Sequence, residues 1–277
     1  MAVWQGGLVQ QQLQQRGIAG ELIYIKTEGD IDLVTPLYEM GVQGIFTKTL
    51  DTALLNNRID IAVHSMKDVP TQLAAGIRQA AVLERGSYKD LLVYKGDEQN
   101  LFNELGYVNG EWLVVSSEYE IKNDPLTTHH SPLTIATSSV RRKAQWLNHY
   151  PHHSLENLRG NVNTRMQKLT NSSWNGAIFA AAGLERIGLR PANSVELDWM
   201  LPAPSQGAVT IVCREEDKVA YEASALLNDE TTALCTRIEK DFLRVLMGGC
   251  STPISALAIM KEGQLFFQGN ILSLDGK

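Results

Sequence analysis

No stretch of this sequence stays apolar long enough to cross a bilayer, and Met1 is not followed by the basic segment, apolar core and cleavage site of an export signal. The chain therefore reads as cytoplasmic, with no membrane partner. Cysteine is scarce. Cys213, Cys235 and Cys250 are widely spaced and form no CxxC pair, which excludes a disulfide framework and a cysteine-based zinc site and leaves at least one thiol free. Positive charge is short as well: 25 Lys and Arg against 31 Asp and Glu give a formal net charge of -6, which argues against a nucleic-acid partner. What remains is an ordinary globular composition, 277 residues with 44% hydrophobic content, enough for two or three cores.

The stretch that organises the chain is 58–71, RIDIAVHSMKDVPT. Ile59, Ile61 and Val63 with the small Ala62 predict a buried inner strand of a parallel sheet. It runs into a loop that presents His64, Ser65, Lys67 and Asp68 together, held in shape by Pro70. Loops at the ends of such strands are where open α/β sheets bind ligands. An adjacent cation and carboxylate there suit a substrate carrying both signs of charge, although a Lys-Asp pair taken alone is ordinary solvated surface.

Upstream, the first residues, MAVWQGGLVQQQLQQRG, predict an amphipathic helix with two glycines inside it and no cap before it. A strand is expected over 21–27 and a helix over 45–58, and together with the central strand this is a βαβ rhythm that implies a mostly parallel sheet. QAAVLER and DLLVYKG add two short strands. The polar segment 97–131 reads as an insertion or interdomain piece with some local structure. The pairs His129-His130 and His152-His153 lack ligand spacing and read as surface histidines.

From Leu133 a second α/β unit begins: the strand LTIAT, a turn at Thr137, Ser138 and Ser139, then the helix VRRKAQWLNHY carrying Arg141 and Arg142 in its first turn. SLENLR, a Gly160-Asn161 turn and VNTRMQKL repeat the layout with Arg159 and Arg165, and GAIFAAAGLERIG ends in Arg186. Hydroxyls and N–H groups at helix starts, with arginines beside them, form an anion site. Arginine near a helix N-terminus opposes the macrodipole, so its repeated placement there implies a compensating ligand carboxylate or phosphate. Further on, 199–216 is a proline-rich crossing and a strand that returns to the first unit. The helix 231–246 places Leu234, Ile238, Phe242 and Val245 on one face. It leads to MGGCSTPIS, where two glycines offer the Cys250 thiol on a flexible loop. The end, ISALAIM and GQLFFQGNILSL, reads as a small antiparallel pair.

HSMKDVP, TSSVRRKAQ, LRGNVNTR, AAGLERIG and GGCSTPI occur in the order found in the porphobilinogen deaminase (hydroxymethylbilane synthase) family, which this chain resembles over nearly its whole length. The resemblance implies an α/β fold: two periplasmic-binding-protein-like (type II) domains around a central cleft and a small α+β C-terminal domain. The matching boundaries are 1–96 with 200–216, a segment 97–131, a second domain 132–199 and a third 217–277. It implies a monomer whose Cys250 carries a dipyrromethane cofactor through a thioether. Four porphobilinogen molecules are then joined head to tail with loss of ammonia, and hydroxymethylbilane is released by hydrolysis. Asp68 is implied as the catalytic carboxylate. Lys67, Thr137, Ser138, Arg141, Arg142, Arg165 and Gln206 are implied on the cofactor, and Ser65, Arg159, Arg165 and Arg186 on the substrate. The residue types suit that chemistry: a growing polycarboxylate needs arginines, a cation left by ammonia loss needs a carboxylate, and a thiolate captures such an electrophile.

The sequence departs from the family pattern in three places. The strand that precedes the first helix, ending in an arginine and a serine of the cleft, has no counterpart here, so an inactive shortened synthase is one alternative. Gln43 stands where a lysine is usual, Ser205 replaces a glycine before Gln206-Gly207, and 97–131 is longer than the usual link. Two other classes compete: a binding module holding a small dicarboxylate with Cys250 incidental, and a cysteine hydrolase using Cys250 and His64, which lacks an orienting third residue.

Overall fold

The computed structural model describes residues 2–25, 47–108, 110–112, 132–248 and 252–277. Helix α1 (Ala2–Gln14) buries Gln5, Val9 and Leu13, one residue per turn, despite its two glycines. That stripe lies on a three-stranded sheet, against Ala81, Leu83, Val209 and Ile211. The sheet is formed by β1 (Ile61–Ser65), β2 (Ile77–Val82) and β10 (Val209–Arg214), and helix α2 (Lys48–Leu55) covers its other face through Leu54 against Ala62, Ile77 and Val212.

Two expectations fail in this unit. Residues 21–25 form no strand, with Ile23 and Tyr24 exposed, and 26–27 lie outside the described residues. The central strand β1 is not an inner parallel strand. Its neighbour is β10, antiparallel, with Ile61 opposite Cys213 and Ser65 opposite Val209, and among the described residues it forms the sheet edge. The reason is β10: buried at all six positions, it takes the central slot between β1 and β2, and both of its pairings are antiparallel.

The second sheet has the order β7-β6-β8-β3-β9. Here β6 (Thr134–Ala136) runs parallel to β7 (Ser154–Glu156) and β8 (Gly176–Ala180). Strand β3 (Asp90–Tyr94), grouped with the first unit in the sequence reading, pairs antiparallel with β8 and with β9 (Ser194–Glu196). All five of its residues are buried, and successive side chains face opposite cores: Leu92 and Tyr94 meet Ile135, Trp146 and Ile178, while Leu91 and Val93 meet Ala136, Phe179 and Leu184. Helices α4 (Val140–His149) and α5 (Val162–Asn171) start where expected, capped by the Ser139 hydroxyl and the Asn161 carboxamide. A short helix α6 (Ala181–Glu185) follows β8. The segment after residue 97 contributes α3 (Glu98–Leu105) and a hairpin, β4 (Tyr107–Val108) with β5 (Glu111–Trp112). Trp112 Nε1 donates to the Glu196 carbonyl at 2.9 Å, tying the hairpin to β9.

Beyond α7 (Lys218–Ala225), helix α8 (Glu230–Val245) packs on the hairpin of β11 (Ile254–Lys261) and β12 (Gln264–Ile271). The predicted apolar face is only partly the buried one: Ile238 and Phe242 are half-buried, Phe242 with its ring 5.3 Å from that of Phe267. Leu234 and Val245 are exposed, and the buried stripe is Thr232, Cys235, Thr236 and Glu239. The cause is a buried ion pair: Arg85 donates to both Glu239 oxygens at 2.7 and 3.0 Å, and the backbone N–H groups of Ser205 and Ala258 donate to the same carboxylate at 2.6 and 2.7 Å.

The loop before β10 crosses close to another strand of chain. At Gly207, φ is +90°, and a Cβ there would lie 2.7 Å from the Gly86 and Ser87 carbonyl oxygens. Ser205, at φ +64°, holds the same left-handed backbone with a side chain, and its buried Oγ has no hydrogen-bond partner. Left-handed geometry costs a non-glycine residue about 1–2 kcal/mol. Ser205→Gly is therefore expected to stabilise the protein by about 1 kcal/mol, read as a higher denaturant midpoint at unchanged slope; a lower midpoint would contradict this account.

Candidate active site

Strand β1 delivers a single 3-10 turn, Met66–Asp68. Its entry is fixed by the Met66 N–H donating to the Ala208 carbonyl at 3.0 Å, and it closes with the Val69 N–H on the Met66 carbonyl at 3.2 Å. Met66 points into the core against Val82 and Ala208, which turns the half-buried Lys67 and Asp68 toward the second unit. Burial is the main cause that pulls the Lys67 ammonium below its usual range. Arg142 and Arg141 add to this, while Asp68 and Asp90 oppose it. Arg165 is lowered to about 10, by burial first and then by Arg142 and Arg159, with Asp68 opposing. Residues from three separate motifs, Lys67 with Asp68, Arg141 with Arg142, and Arg159 with Arg165, therefore lie within one electrostatic neighbourhood.

The sequence reading missed the carboxylate at its centre. Asp90, fully buried at the start of β3, accepts from Arg141 Nη2 at 2.6 Å, Arg142 Nη2 at 2.7 Å and Gln206 Nε2 at 2.9 Å. Burial works to raise its pKa, but the two guanidiniums overcome this and hold it well below the usual carboxylate range. The protein's own Asp90 thus supplies one negative charge for the two arginines at this helix N-terminus, and one positive charge remains, with the Nε atoms of Arg141 and Arg142 unpartnered. Gln206, implied on the cofactor, donates through the same Nε2 to the Tyr88 carbonyl at 2.8 Å. No motif marks Asp90, which reads as a polar residue bounding an apolar run.

Other implied residues are placed as follows. Ser138 Oγ donates to the Leu158 carbonyl at 2.7 Å, and Thr137 Oγ1 accepts from the Ser139 N–H at 3.2 Å. Ser65 Oγ accepts from Gln5 Nε2 at 2.8 Å, a buried partner on α1 that the sequence reading passed over. Arg165 Nε donates to the Gly160 carbonyl at 2.7 Å, and its guanidinium feels the charges of Arg142, Arg159 and Asp68. Arg186 stands apart: it donates to the Gly207 carbonyl at 2.7 Å, lies 5.3 Å from the centre of the Trp4 ring, and borders a cavity of about 260 Å³ with Leu8, Glu84 and Glu185. Cys250, Gln43, His129 and His130 lie outside the described residues. Gly248, read as freeing the Cys250 loop, is buried, and a Cβ there would come within 2.4 Å of Ile254 Cδ1, so this glycine serves close packing. His153 accepts from Trp146 Nε1 at 3.2 Å and stacks on Tyr150, a structural role, and among the described residues no cluster of metal-ligating groups occurs.

Comparison with known proteins decides the family. The profile "Porphobilinogen deaminase, dipyromethane cofactor binding domain" matches residues 1–222, and "Porphobilinogen deaminase, C-terminal domain" matches 233–277. The chain belongs to the porphobilinogen deaminase family. It is 35% identical over 281 residues to the porphobilinogen deaminase of Chlorobium phaeobacteroides, covering 100% of this chain and 82% of that protein. To the chloroplastic porphobilinogen deaminase of Oryza sativa it is 39% identical over 261 residues, 93% of this chain and 66% of that protein. Among solved structures, the L-cystine solute receptor of Neisseria gonorrhoeae matches at 9% identity and a TM-score of 0.41, covering 90% of this chain and 84% of that one. The BvgS periplasmic VFT2 domain of Bordetella pertussis matches at 13% and 0.40, covering 87% and 82%.

The family's dipyrromethane cofactor is a polycarboxylate, and the residues here fit one. Asp90 pairs with Arg141 and Arg142 but supplies a single negative charge for the two, and Arg165, whose proton affinity is lowered first by burial and then by Arg142 and Arg159, adds further positive charge beside them. An anion placed among them relieves that repulsion.

Removing the Asp90 charge would leave two buried guanidiniums unanswered. Asp90→Asn is expected to cost about 3–5 kcal/mol, seen as a drop in denaturant midpoint; a loss under 1 kcal/mol would show the ion pairs to be dispensable. His64 gives a second test. Buried on β1 with Nε2 unpartnered, it has its pKa pushed down to about 4 by desolvation. The unfolded chain takes up that proton from about pH 6.5, so stability is full above 6.5 and falls by up to about 3 kcal/mol as pH drops to 4. The Asp90 contribution fades below the unfolded carboxylate value, at lower pH. His64→Gln should remove most of the slope between 6.5 and 4, leaving the smaller part due to His149, which burial also lowers; an unchanged slope would assign it to another group.

Proposed function

We infer that this chain is a hydroxymethylbilane synthase that joins four porphobilinogen molecules head to tail, releasing ammonia at each addition and hydroxymethylbilane at the end. The observation that carries this reading is that Asp68, on the turn after β1, lies close enough to Arg165 of the second unit to act on its charge, and that Arg165 in turn neighbours Arg142 and Arg159. When bound through Cys250, the dipyrromethane cofactor supplies the growing end to which each new pyrrole is joined. Lys67, Arg159 and Arg165 hold acetate and propionate groups as charge-assisted hydrogen-bond donors. Arg141 and Arg142 set the shape of that wall through Asp90, their remaining N–H groups aligned by the same ion pairs. Asp68 accepts from pyrrole N–H groups and stabilises the positive charge that develops on the substrate as ammonia leaves. Its electrostatic leverage is high because it is half-buried and its turn is fixed at both ends.

In this reading the three-stranded unit carries the acid, the five-stranded unit carries the anion wall, and α8 with the final hairpin carries the thiol. Arg186, over Trp4 at the cavity beside Gly207, receives incoming substrate. The protein works as a monomer in the cytoplasm. Cys213 and Cys235, both buried and unpaired, suit a reducing compartment, and among the described residues no helix is long and apolar enough to cross a membrane.

Asp68→Ala is expected to keep the parent's circular dichroism and denaturant midpoint while porphobilinogen consumption drops by roughly 10²-fold or more. Parent-level consumption would refute the role of Asp68. Intact-mass measurement of freshly expressed protein should show a dipyrrole adduct that Cys250→Ser lacks; an unmodified parent would favour a dicarboxylate-binding module.

A further inference from the structure

The 3-10 turn that carries Lys67 and Asp68 is anchored at its entry by the Ala208 carbonyl. Its exit is held by another part of the molecule: Lys240, on α8, donates through Nζ to the Val69 carbonyl. Packing does not make this tether redundant. Behind the turn lies a cavity of about 310 Å³ bordered by Met66, Pro70, Leu73, Leu234 and Lys240, so the chain leaving Asp68 has open space at its back. Pro70 cannot supply a backbone N–H to hold the segment from its other end. The helix that supplies Lys240 is fixed one residue earlier, where Glu239 is locked by Arg85 and two backbone N–H groups. It is also the helix after which the chain reaches Cys250.

We propose that Lys240 is a positioning residue, whose ammonium on the Val69 carbonyl fixes Asp68 relative to the arginine wall and couples the acid to the helix leading to the cofactor cysteine. It touches no reacting atom, and its effect is carried through the turn. A displacement of the acid by a fraction of its hydrogen-bond length weakens charge stabilisation at the reacting pyrrole more than it weakens binding, because Arg159 and Arg165, which hold carboxylate groups, stand on the second unit and only Lys67 shares the turn. The proposal rests on the reading of Asp68 as the catalytic acid, and the experiment has one arm that does not.

The full-length Lys240→Met and Lys240→Arg variants are compared with the parent. In steady-state assays with porphobilinogen, Lys240→Met should lower kcat by roughly tenfold with KM within twofold, and Lys240→Arg should restore most of the loss. In amide hydrogen exchange, the Val69 N–H of Lys240→Met should exchange about tenfold faster than in the parent, while amides within α8 stay as protected as before. Equal Val69 exchange in parent and Lys240→Met, or an arginine variant as impaired as the methionine one, overturns the proposal. If the parent consumes no porphobilinogen the functional reading fails, and the exchange arm alone then decides whether Lys240 holds the turn.

Discussion

Two buried carboxylates and the glutamine between them tie this molecule together. Asp90 gathers Arg141, Arg142 and the Gln206 side chain, and Glu239 gathers Arg85 with the N–H groups of Ser205 and Ala258. Arg85 Nε closes the circuit by donating to the Gln206 carbonyl at 2.9 Å. The network joins both sheets to α8 and the final hairpin through five stretches of chain separated in sequence. Isolated, each carboxylate would be expensive to bury; with its donors in place each is satisfied. The energetic consequence is asymmetric, since removing one partner leaves an opposite charge stranded in a dry interior.

That asymmetry explains why the site tolerates so much like charge. Lys67 is repelled by Arg142 and Arg141, and Arg165 by Arg142 and Arg159, and a lone surface loop would splay to relieve this. Here Lys67 is on a turn pinned at Ala208 and Val69, and Arg165 is pinned to the Gly160 carbonyl. The unfavourable electrostatics of the free site are thus stored in a rigid frame, available to a polyanionic ligand when it binds. The arrangement is one of preorganisation: the frame is stabilised away from the cleft so that the cleft itself can be destabilised.

Much of the site was legible because its parts are local. The Lys67-Asp68 turn follows from one strand and one proline, and the arginines at the starts of α4 and α5 follow from capping residues two to four positions away. What was illegible was every long-range pairing. Nothing near Asp90 in sequence announces Arg141, and nothing in α8 announces Arg85, so the helix was read by its leucines and its buried face proved to be Thr232, Cys235, Thr236 and Glu239. The same limit governs the sheet. An apolar run such as 59–63 is compatible with either strand direction, and β10 had to arrive from beyond residue 200 before the pairing became antiparallel.

Ser205 shows where the network constrains the chain most. Its N–H must reach Glu239 while the next two residues bring Gln206 to Asp90 and Gly207 against the Gly86 and Ser87 carbonyls. Three demands in three residues leave a left-handed turn as the available path, and the chain takes it with a serine whose hydroxyl goes unpartnered. A strained backbone persists where its surroundings over-determine it. In this protein the over-determination comes from the two carboxylates, so the strain at 205 and the order of the cationic cleft have a common origin.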